Sequence, residues 1–510
     1  MSTGGVFQLI SNTGFQDEIL MAHSLLTERI KCIRKQRMEE LRMKHKGVPD
    51  SELEKMPSAW STALAAIDKT HIFYVNSTFK PFVSMAHEYS RTPSRGGQPT
   101  LGNTCSFELP LVGQFVNDPV LYVKLNNFSA VNSLDKVRYA AYLGHRLMKN
   151  VKFKVQNFLF DEYGTDEQMA YFDNKVPVHK ENAYLRSIGQ EVPKLGYLTA
   201  DPAVDEVREY RWFGNGPQTF KQAQPTLELW IPILFWFKDI NCSLPNFLLP
   251  RNQVEIEVTF EQESNLVSYG NYGGGGSYRA PKIAECYMYV NHIFVMPEIE
   301  QLFRNSFGSQ LIRVHRSHRE LLTESSKSVK LHQIKYPVEA LYVGFRPTAN
   351  LTNSQRWYKN TFITARTSKQ AVVTGVSTVQ VNDASYLDEA HCVEKLGLKA
   401  HDVTIFPDLP PEFYNNYIPF RYGKYIKSSH QLGWYLMNFN FEPGNYQPSG
   451  YINVTKTREL YLNYQSAIDS ATGQYIIRTA NPVELIVLAD ALNFVYVDAR
   501  ANNMTLRFAT

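Results

Sequence analysis

Five basic side chains crowd into seven residues, Arg313-Val-His315-Arg316-Ser-His318-Arg319. Such a run could grip phosphates. It reads better as the exposed start of a strand, with Ile312 and Val314 turned inward. His391, Cys392 and His401, with Asp388 and Glu389 nearby, carry the side chains of a metal site. They lie in an irregular stretch without closely spaced ligand pairs, which argues against one. Gly214-Asn-Gly216 is half of a dinucleotide fingerprint and opens no helix. The glycine-rich loop 268–279 lacks the spacing of a phosphate cradle, and no helix start follows it. The chain contains no G-x-S-x-G, H-E-x-x-H, C-x-x-C or Walker sequence. Carboxylate pairs of the glycosidase kind meet only in a fold, so spacing is silent on them. The expectation is a protein with no cofactor, no metal and no enzymatic activity.

The elements that would position these residues are mainly strands. Tyr and Phe dominate an aromatic content of 13%, which favours β structure. At 510 residues the chain has room for several domains of roughly 100–200 residues each. A net charge of +4 is small for that length and argues against direct nucleic-acid binding. The cysteines at 32, 105, 242, 286 and 392 are odd in number and widely spaced, and read as reduced thiols in a cytosolic setting. The start, MSTGGVFQLISNTG, has no basic region followed by a long apolar core, so no signal peptide is expected. The N-x-S/T triplets at Asn76, Asn127, Asn241, Asn350, Asn453 and Asn503 are then expected to stay unmodified.

The stretch TLELWIPILFWFKDINCSLPNFLLPRNQVEIEVTF, residues 226–260, has the densest apolar pattern. Its first run, 227–237, is apolar at both parities and predicts a strand covered on both faces. Glu228, Pro232, Lys238 and Asp239 make it too short and too charged to span a bilayer. Its second run, 254–260, alternates cleanly, with Val254, Ile256, Val258 and Phe260 on one face. A similar layout recurs at 434–464, where WYLMNFNFEP and YINVTKTRELYLNY flank GNYQPSG. One layout used twice suggests a duplicated β domain. Trp230, Trp236 and Trp434 are the residues expected to serve these core strands or a subunit interface.

Other strands are expected at 71–74, 79–83, 106–111, 121–125, 151–155 and 283–294, then at 328–334, 340–345, 362–364, 371–381, 475–479, 484–498 and 504–508. Residues 161–225 and 383–419 read as long irregular excursions, one in each domain. Residues 297–306 read as a short helical connector, with Pro297 and Glu298 suited to its first turn. A helix is expected from about residue 17 to 45, with Ile19, Leu26, Ile30, Ile33 and Leu41 near one face. Its second half carries Arg29, Lys31, Arg34, Lys35, Arg37, Arg42, Lys44 and Lys46. These could grip an acidic partner or an anionic membrane surface, or could be a solvated face. The organisation expected is an N-terminal base segment 1–67, a first β domain 68–295, a connector 296–309 and a second β domain 310–510.

Several stretches occur in order along nearly the whole chain: GGVFQLI (4–10), FKPFV (79–83), QPTLGN (98–103), GHRLMKNVKF (144–153) with DEY (161–163), and NGPQT (215–219). MPEIEQLF (296–303), LIRVH (311–315), IPFRYG (418–423), YQPSGYINVTKTRELYL (446–462) and TLRFAT (505–510) follow. As a set they resemble the double jelly-roll major capsid proteins of nucleocytoplasmic large DNA viruses, and most closely the African swine fever virus branch. This chain is shorter than the protein of that branch, chiefly in the loops of the first domain. The resemblance implies an all-β fold of two tandem eight-stranded jelly rolls with long outer loops. It implies pseudo-hexameric homotrimers that tile an icosahedral virion capsid over an internal membrane, assembled in the host cytoplasm in a virus factory. Implied partners are neighbouring capsomers, minor capsid and penton proteins and, through the N-terminus, the membrane surface, with no direct nucleic acid. The alternative from another class is a carbohydrate-binding jelly-roll lectin or attachment protein, motivated by Tyr269, Tyr272 and Tyr278.

Overall fold

The computed structural model describes residues 25–53, 85–110, 112–199, 207–214, 216–250, 253–270, 277–306, 308–374, 378–401, 403–423, 426–429, 431–454, 459–498 and 503–507. The expected strands at 71–74 and 79–83, and the first turns of the expected N-terminal helix, lie outside them. The chain divides into two compact units. One comprises Met1–Glu88, Val112–Gln114 and His292–Asn305; the other comprises Tyr89–Leu111, Phe115–Asn291 and Ser306–Thr510.

In the smaller unit, α1 (Leu25–Lys44) buries Leu41 and ends in an αL glycine, Gly47 at φ 93°. Arg42 folds back to Asp50 at 2.5 Å and Lys44 reaches Glu40 at 2.5 Å. Exposed pairs of this kind contribute little to stability. The same unit contains most of the connector helix, Pro297–Ser306.

The sandwich strands fall into two sets of eight. The first set is β1 (Met85–Pro93), β2 (Thr104–Glu108), β3 (Phe115–Leu125), β4 (Met148–Val155), β5 (Phe158–Gly164), β6 (Leu227–Pro232), β7 (Val254–Phe260) and β8 (Ile283–Val295). The second is β9 (Ser309–Leu322), β10 (Ser326–Lys330), β11 (Pro337–Pro347), β12 (Val393–Ala400), β13 (Val403–Leu409), β14 (Trp434–Asn438), β15 (Leu460–Ser466) and β16 (Val483–Asp498). The first set forms sheets of order β1-β8-β3-β6 and β2-β7-β4-β5. The second repeats this position for position as β9-β16-β11-β14 and β10-β15-β12-β13. Each is the eight-stranded jelly-roll arrangement, so the fold is the expected double jelly roll. For brevity the first-named sheet of each pair is called outer, and its face away from the companion sheet the outer face.

Each sandwich has its own apolar core. In β7, Val254, Ile256, Val258 and Phe260 are buried while Glu255, Glu257 and Thr259 alternate outward, as the period of two requires. Outward charge is paired across strands, with Glu257 taking a hydrogen bond from Lys154 at 2.5 Å. The second core gathers Val343, Phe345, Leu396, Tyr435, Leu462 and Val487, among others.

Several expectations need correction. The run 227–237 is not one strand: β6 stops at Pro232, and Trp236–Lys238 is a 3-10 turn that drives Phe235, Trp236 and Phe237 into the core. The strand buried on both faces is β11, every residue of which is buried. The excursion 161–225 holds two helices, α2 (Thr165–Lys175) and α3 (Val178–Ser187), and a hairpin of Lys194–Thr199 with Val207–Phe213. The run 371–381 is the tip of a hairpin, Phe362–Thr374 with Thr378–Ala390, in which the chain reverses. Most of 383–419 is regular structure, including β12 and β13. Register shifts at Leu396–Leu398 and Leu398–Lys399 had broken the alternation that would reveal them. The run 475–479 forms only isolated bridges.

Candidate functional site

The structure places most of the unusual side chains on one seam, where α2 leaves the end of β5 and lies on the outer face of the second sandwich. Helix α2 starts as β5 ends, with the Gly164 N–H donating to the Glu167 carboxylate at 2.8 Å. It has no simple apolar stripe, because polar and apolar faces alike are covered: Asp166, Glu167, Gln168, Met169, Ala170, Phe172, Asp173 and Asn174 are all buried. Ala170 shares one buried apolar cluster with Ala340, Tyr342, Trp434, Leu436, Ile486 and Leu488 of the second sandwich and with Ile418 and Ile426. Met169, Phe172 and Val176 pack with Trp357. The Trp357 indole N–H donates to the Ala141 carbonyl at 2.8 Å, a further tie between the sandwiches.

Buried charge on this seam is paired. Arg346 donates to Asp166 at 2.7 Å and to Glu484 at 2.6 Å. Arg319 reaches the other oxygen of Asp166 at 2.8 Å. Burial pushes the Asp166 carboxyl up, but Arg346 and Arg319 outweigh it and hold it below the usual carboxylate range. Lys175 pairs with Asp490 at 2.7 Å, and Arg313 with Glu339 at 2.6 Å. Asp161, fully buried in β5, accepts from the His315 backbone N–H and from its Nδ1, both at 2.9 Å. Burial lowers the His315 pKa, yet this carboxylate outweighs it and leaves the net shift upward. Asp173 differs: it accepts from Trp434 Nε1 at 3.1 Å and Gln431 Nε2 at 3.3 Å, and burial pushes it up to about 7. Such pairs add little net stability over apolar packing, but breaking one strands a buried charge, so they discriminate against any other docking of the two sandwiches.

Most of the basic run is thus covered, and its exposed member, Arg319, is engaged by Asp166. Ile312 and Val314 point into the first sandwich's core as expected, while Arg313, His315, Arg316 and Arg319 face acids, three of them answering the first sandwich's Asp161 and Asp166. Beside it lies a cavity of about 620 Å³, with Trp236, Lys238 and Cys242 on one wall and Arg313, Glu339 and Tyr446 on the other. Trp236 itself is buried against Phe153 and Phe237. Trp434 is buried at the seam. Trp230 is instead 42% exposed, on the outer face of the first sandwich. The tryptophans singled out from sequence therefore occupy different surroundings, and α2, which organises the seam, was missed. Its signal would have been the acids of TDEQMAYFDNK, read as partners for the basic run.

The remaining candidates scatter. Cys392 is buried with its thiol on the Phe345 carbonyl, and His391 meets the Tyr435 hydroxyl at 3.0 Å. His401 is exposed in a turn at φ 53°. Among the described residues no cluster of three or more metal-ligating side chains occurs. Gly214 and Gly216 lie against Glu191. Tyr269 and Tyr278 are half-buried with rings 5.8 Å apart, and Tyr272 lies outside the described residues. On α1, Lys35, Lys44 and Lys46 are exposed, Arg37 is half-buried and Arg42 holds Asp50. The side chains of Arg29, Lys31 and Arg34 are not among those described. No described helix is long and apolar enough to cross a membrane.

Known proteins share this architecture. Residues 76–296 match the family model for the major capsid protein N-terminus, and residues 300–502 match that for the large eukaryotic DNA virus major capsid protein. The hexon protein p72 of African swine fever virus, isolate Tick/Malawi/Lil 20-1/1983, is 24% identical over the whole of both chains. Among solved structures, the Faustovirus major capsid protein is 25% identical, with a TM-score of 0.73, over 95% of this chain and all of that one. The PBCV-1 VP54 structure shares the fold at 16% identity and a TM-score of 0.62, over 86% of this chain and all of that one. With paired jelly rolls of identical strand order and matches along both of them, the chain belongs to the major capsid proteins of large eukaryotic DNA viruses.

Proposed function

We propose that this capsid protein works as a structural tile: three copies form a pseudo-hexameric capsomer, and capsomers pave an icosahedral shell over an internal membrane. The observation that carries this reading is the repeat of one sandwich topology twice in a chain, because three such chains supply six equivalent blocks for a nearly hexagonal outline. The seam supports it too, since its buried ion pairs fix two blocks in one relative placement, which a tile needs. We further propose that residues 68–295 and 310–510 are the two building blocks, with 1–67 as a base segment and 296–309 as connector. The exposed Lys35, Lys44 and Lys46, with the other basic residues of that segment, suit an anionic inner surface or an inner protein layer. Trp230 is assigned to the contact between copies, and Trp236 and Trp434 to packing within one chain. Assembly would occur in the host cytoplasm, with minor capsid and penton proteins as partners, and with no catalytic role. Light scattering of the purified chain tests the tile: a particle of about 175 kDa, three times the 58.5 kDa chain, is expected. A monodisperse monomer would overturn it.

A further inference from the structure

The two outer faces are equivalent in topology but not in what covers them. On the second sandwich the face is covered jointly by Ala170 of α2, the segment that directly follows β5 of the first sandwich, and by Phe413, Ile418, Tyr422 and Ile426 of the second. On the first sandwich the equivalent face carries an aromatic row in which Trp230 is exposed, Tyr287 and Tyr289 are half-buried and Tyr122 is buried against them. Trp230 lies 4.7 Å from Tyr122 and 5.1 Å from Tyr289, with Tyr287 beyond them under Arg91. A charged row runs beside it, Glu228–Lys124–Glu285, at 3.6 and 3.4 Å.

The segment equivalent to α2 in the second sandwich is the one that directly follows β13. It forms a helical turn at Phe413–Tyr417 continued by Ile418–Tyr422. Its inner side is pinned. The Tyr414 hydroxyl donates to the Leu396 carbonyl at 3.0 Å, and the Asn415 amide donates to the Trp434 carbonyl at 2.9 Å. Its outer side presents Tyr417 at 50% and Phe420 at 80% exposure. A segment held this firmly, with two aromatic rings in water, has the character of a docking anchor.

We propose that the exposed rings of 413–422 in one copy dock on the Tyr122–Trp230–Tyr289 row of the next copy. This contact would repeat between chains the one that α2 makes within a chain. The inference rests on the tile reading and names the surfaces that would build it. Both halves of the contact are present on every chain, with Trp230 exposed on one and Tyr417 and Phe420 on the other, and they differ from each other, so the association is head-to-tail. It closes only if the step between copies matches the step between the two sandwiches inside a copy. Three chains then give a ring of six equivalent seams, alternately within and between copies. Arg421 lies next to Phe420 and is also exposed, which suits it to the acidic flank offered by Glu228 and Glu285.

The test uses the full chain and three variants, each checked for unchanged circular dichroism and melting. Trp230→Lys and Phe420→Glu are each expected to weaken trimer formation on the order of tenfold or more in light scattering. The double variant Trp230→Cys, Phe420→Cys is expected to give covalent dimers and closed trimers on a non-reducing gel, beyond the background of the native cysteines. If the wild type is trimeric but neither charged variant shifts it and the double variant does not cross-link, the proposed contact is wrong while the tile reading stands. If Trp230→Lys alone disrupts the trimer, the face is used but by another occupant, and the contact is again overturned. A monomeric wild type would overturn the tile reading itself, and the contact with it.

Discussion

The outer faces of the two sandwiches have the same strand order and different exposure. On the second, Ala340, Tyr342, Trp434, Leu436, Ile486 and Leu488 are all buried, in one cluster with Ala170 of α2 and with Ile418 and Ile426. On the first, Tyr122, Trp230, Tyr287 and Tyr289 combine large apolar rings with polar edges, and ions flank them. Aliphatic side chains suit a surface that is never wet in the folded chain. Tyrosine and tryptophan suit one that meets water first and a partner later. The same sheet thus differs in exposure: Trp434 is buried by cover from within the chain, while Trp230 stays 42% exposed.

This contrast can be broken from the covered side. Replacing Arg346 by Met leaves Asp166 buried and Glu484 half-buried, with Arg319 as their remaining partner, and should cost about 3 kcal/mol in denaturant unfolding. A loss under ~1 kcal/mol would mean that water reaches the seam and that the ion pairs do not lock it. Trp434→Phe keeps the ring packing but removes the donor to Asp173, for an expected loss of about 1.5–3 kcal/mol. A melting temperature unchanged from wild type would contradict that.

Asp173 sharpens the contrast through pH. Its folded pKa of about 7 lies above the unfolded value near 4, so the folded chain holds a proton that the unfolded chain has released. Its contribution to stability is therefore greatest below pH 4 and declines as pH rises to 7. Asp173→Asn does not titrate, so it should gain on the wild type across that window by at most about 1.4 kcal/mol per unit. A difference that stays flat from pH 5 to 8 would show that Asp173 is ionised throughout. The smallest effect belongs to the uncovered face: Trp230→Ala should change the stability of the isolated chain by no more than ~0.5 kcal/mol. A larger loss would mean that this face is part of the core.

Most of the sandwich was legible in the sequence, and the seam was not. Strand β7 announced itself because its period of two is unbroken and one face is wet. The apolar run at 227–237 misled because Pro232 and the turn at Trp236–Lys238 fold apolar residues inward without strand geometry. The strand covered on both faces, β11, contains Glu339, Gly344 and Arg346, and so looked less apolar than the run that was chosen. Helix α2 hid for the opposite reason. Its buried acids resemble a solvated surface until Arg319 and Arg346 are seen to answer them. Single-residue periodicity reports burial against apolar neighbours; a charged seam between two domains becomes readable only when both sides are known.

The first sandwich's core also has a consequence for the order in which the chain can fold. It includes Ile312 and Val314, and also Ala491, Val495 and Met504, of which the last three are made long after β8. While the chain emerges from a ribosome, the first sandwich therefore cannot complete its core, and α2 must hold Asp166 and Asp173 without their arginine and tryptophan partners. Contacts this distant in sequence slow folding and leave sticky surface open in the interval. Until the last strands are made, neither half has its full core.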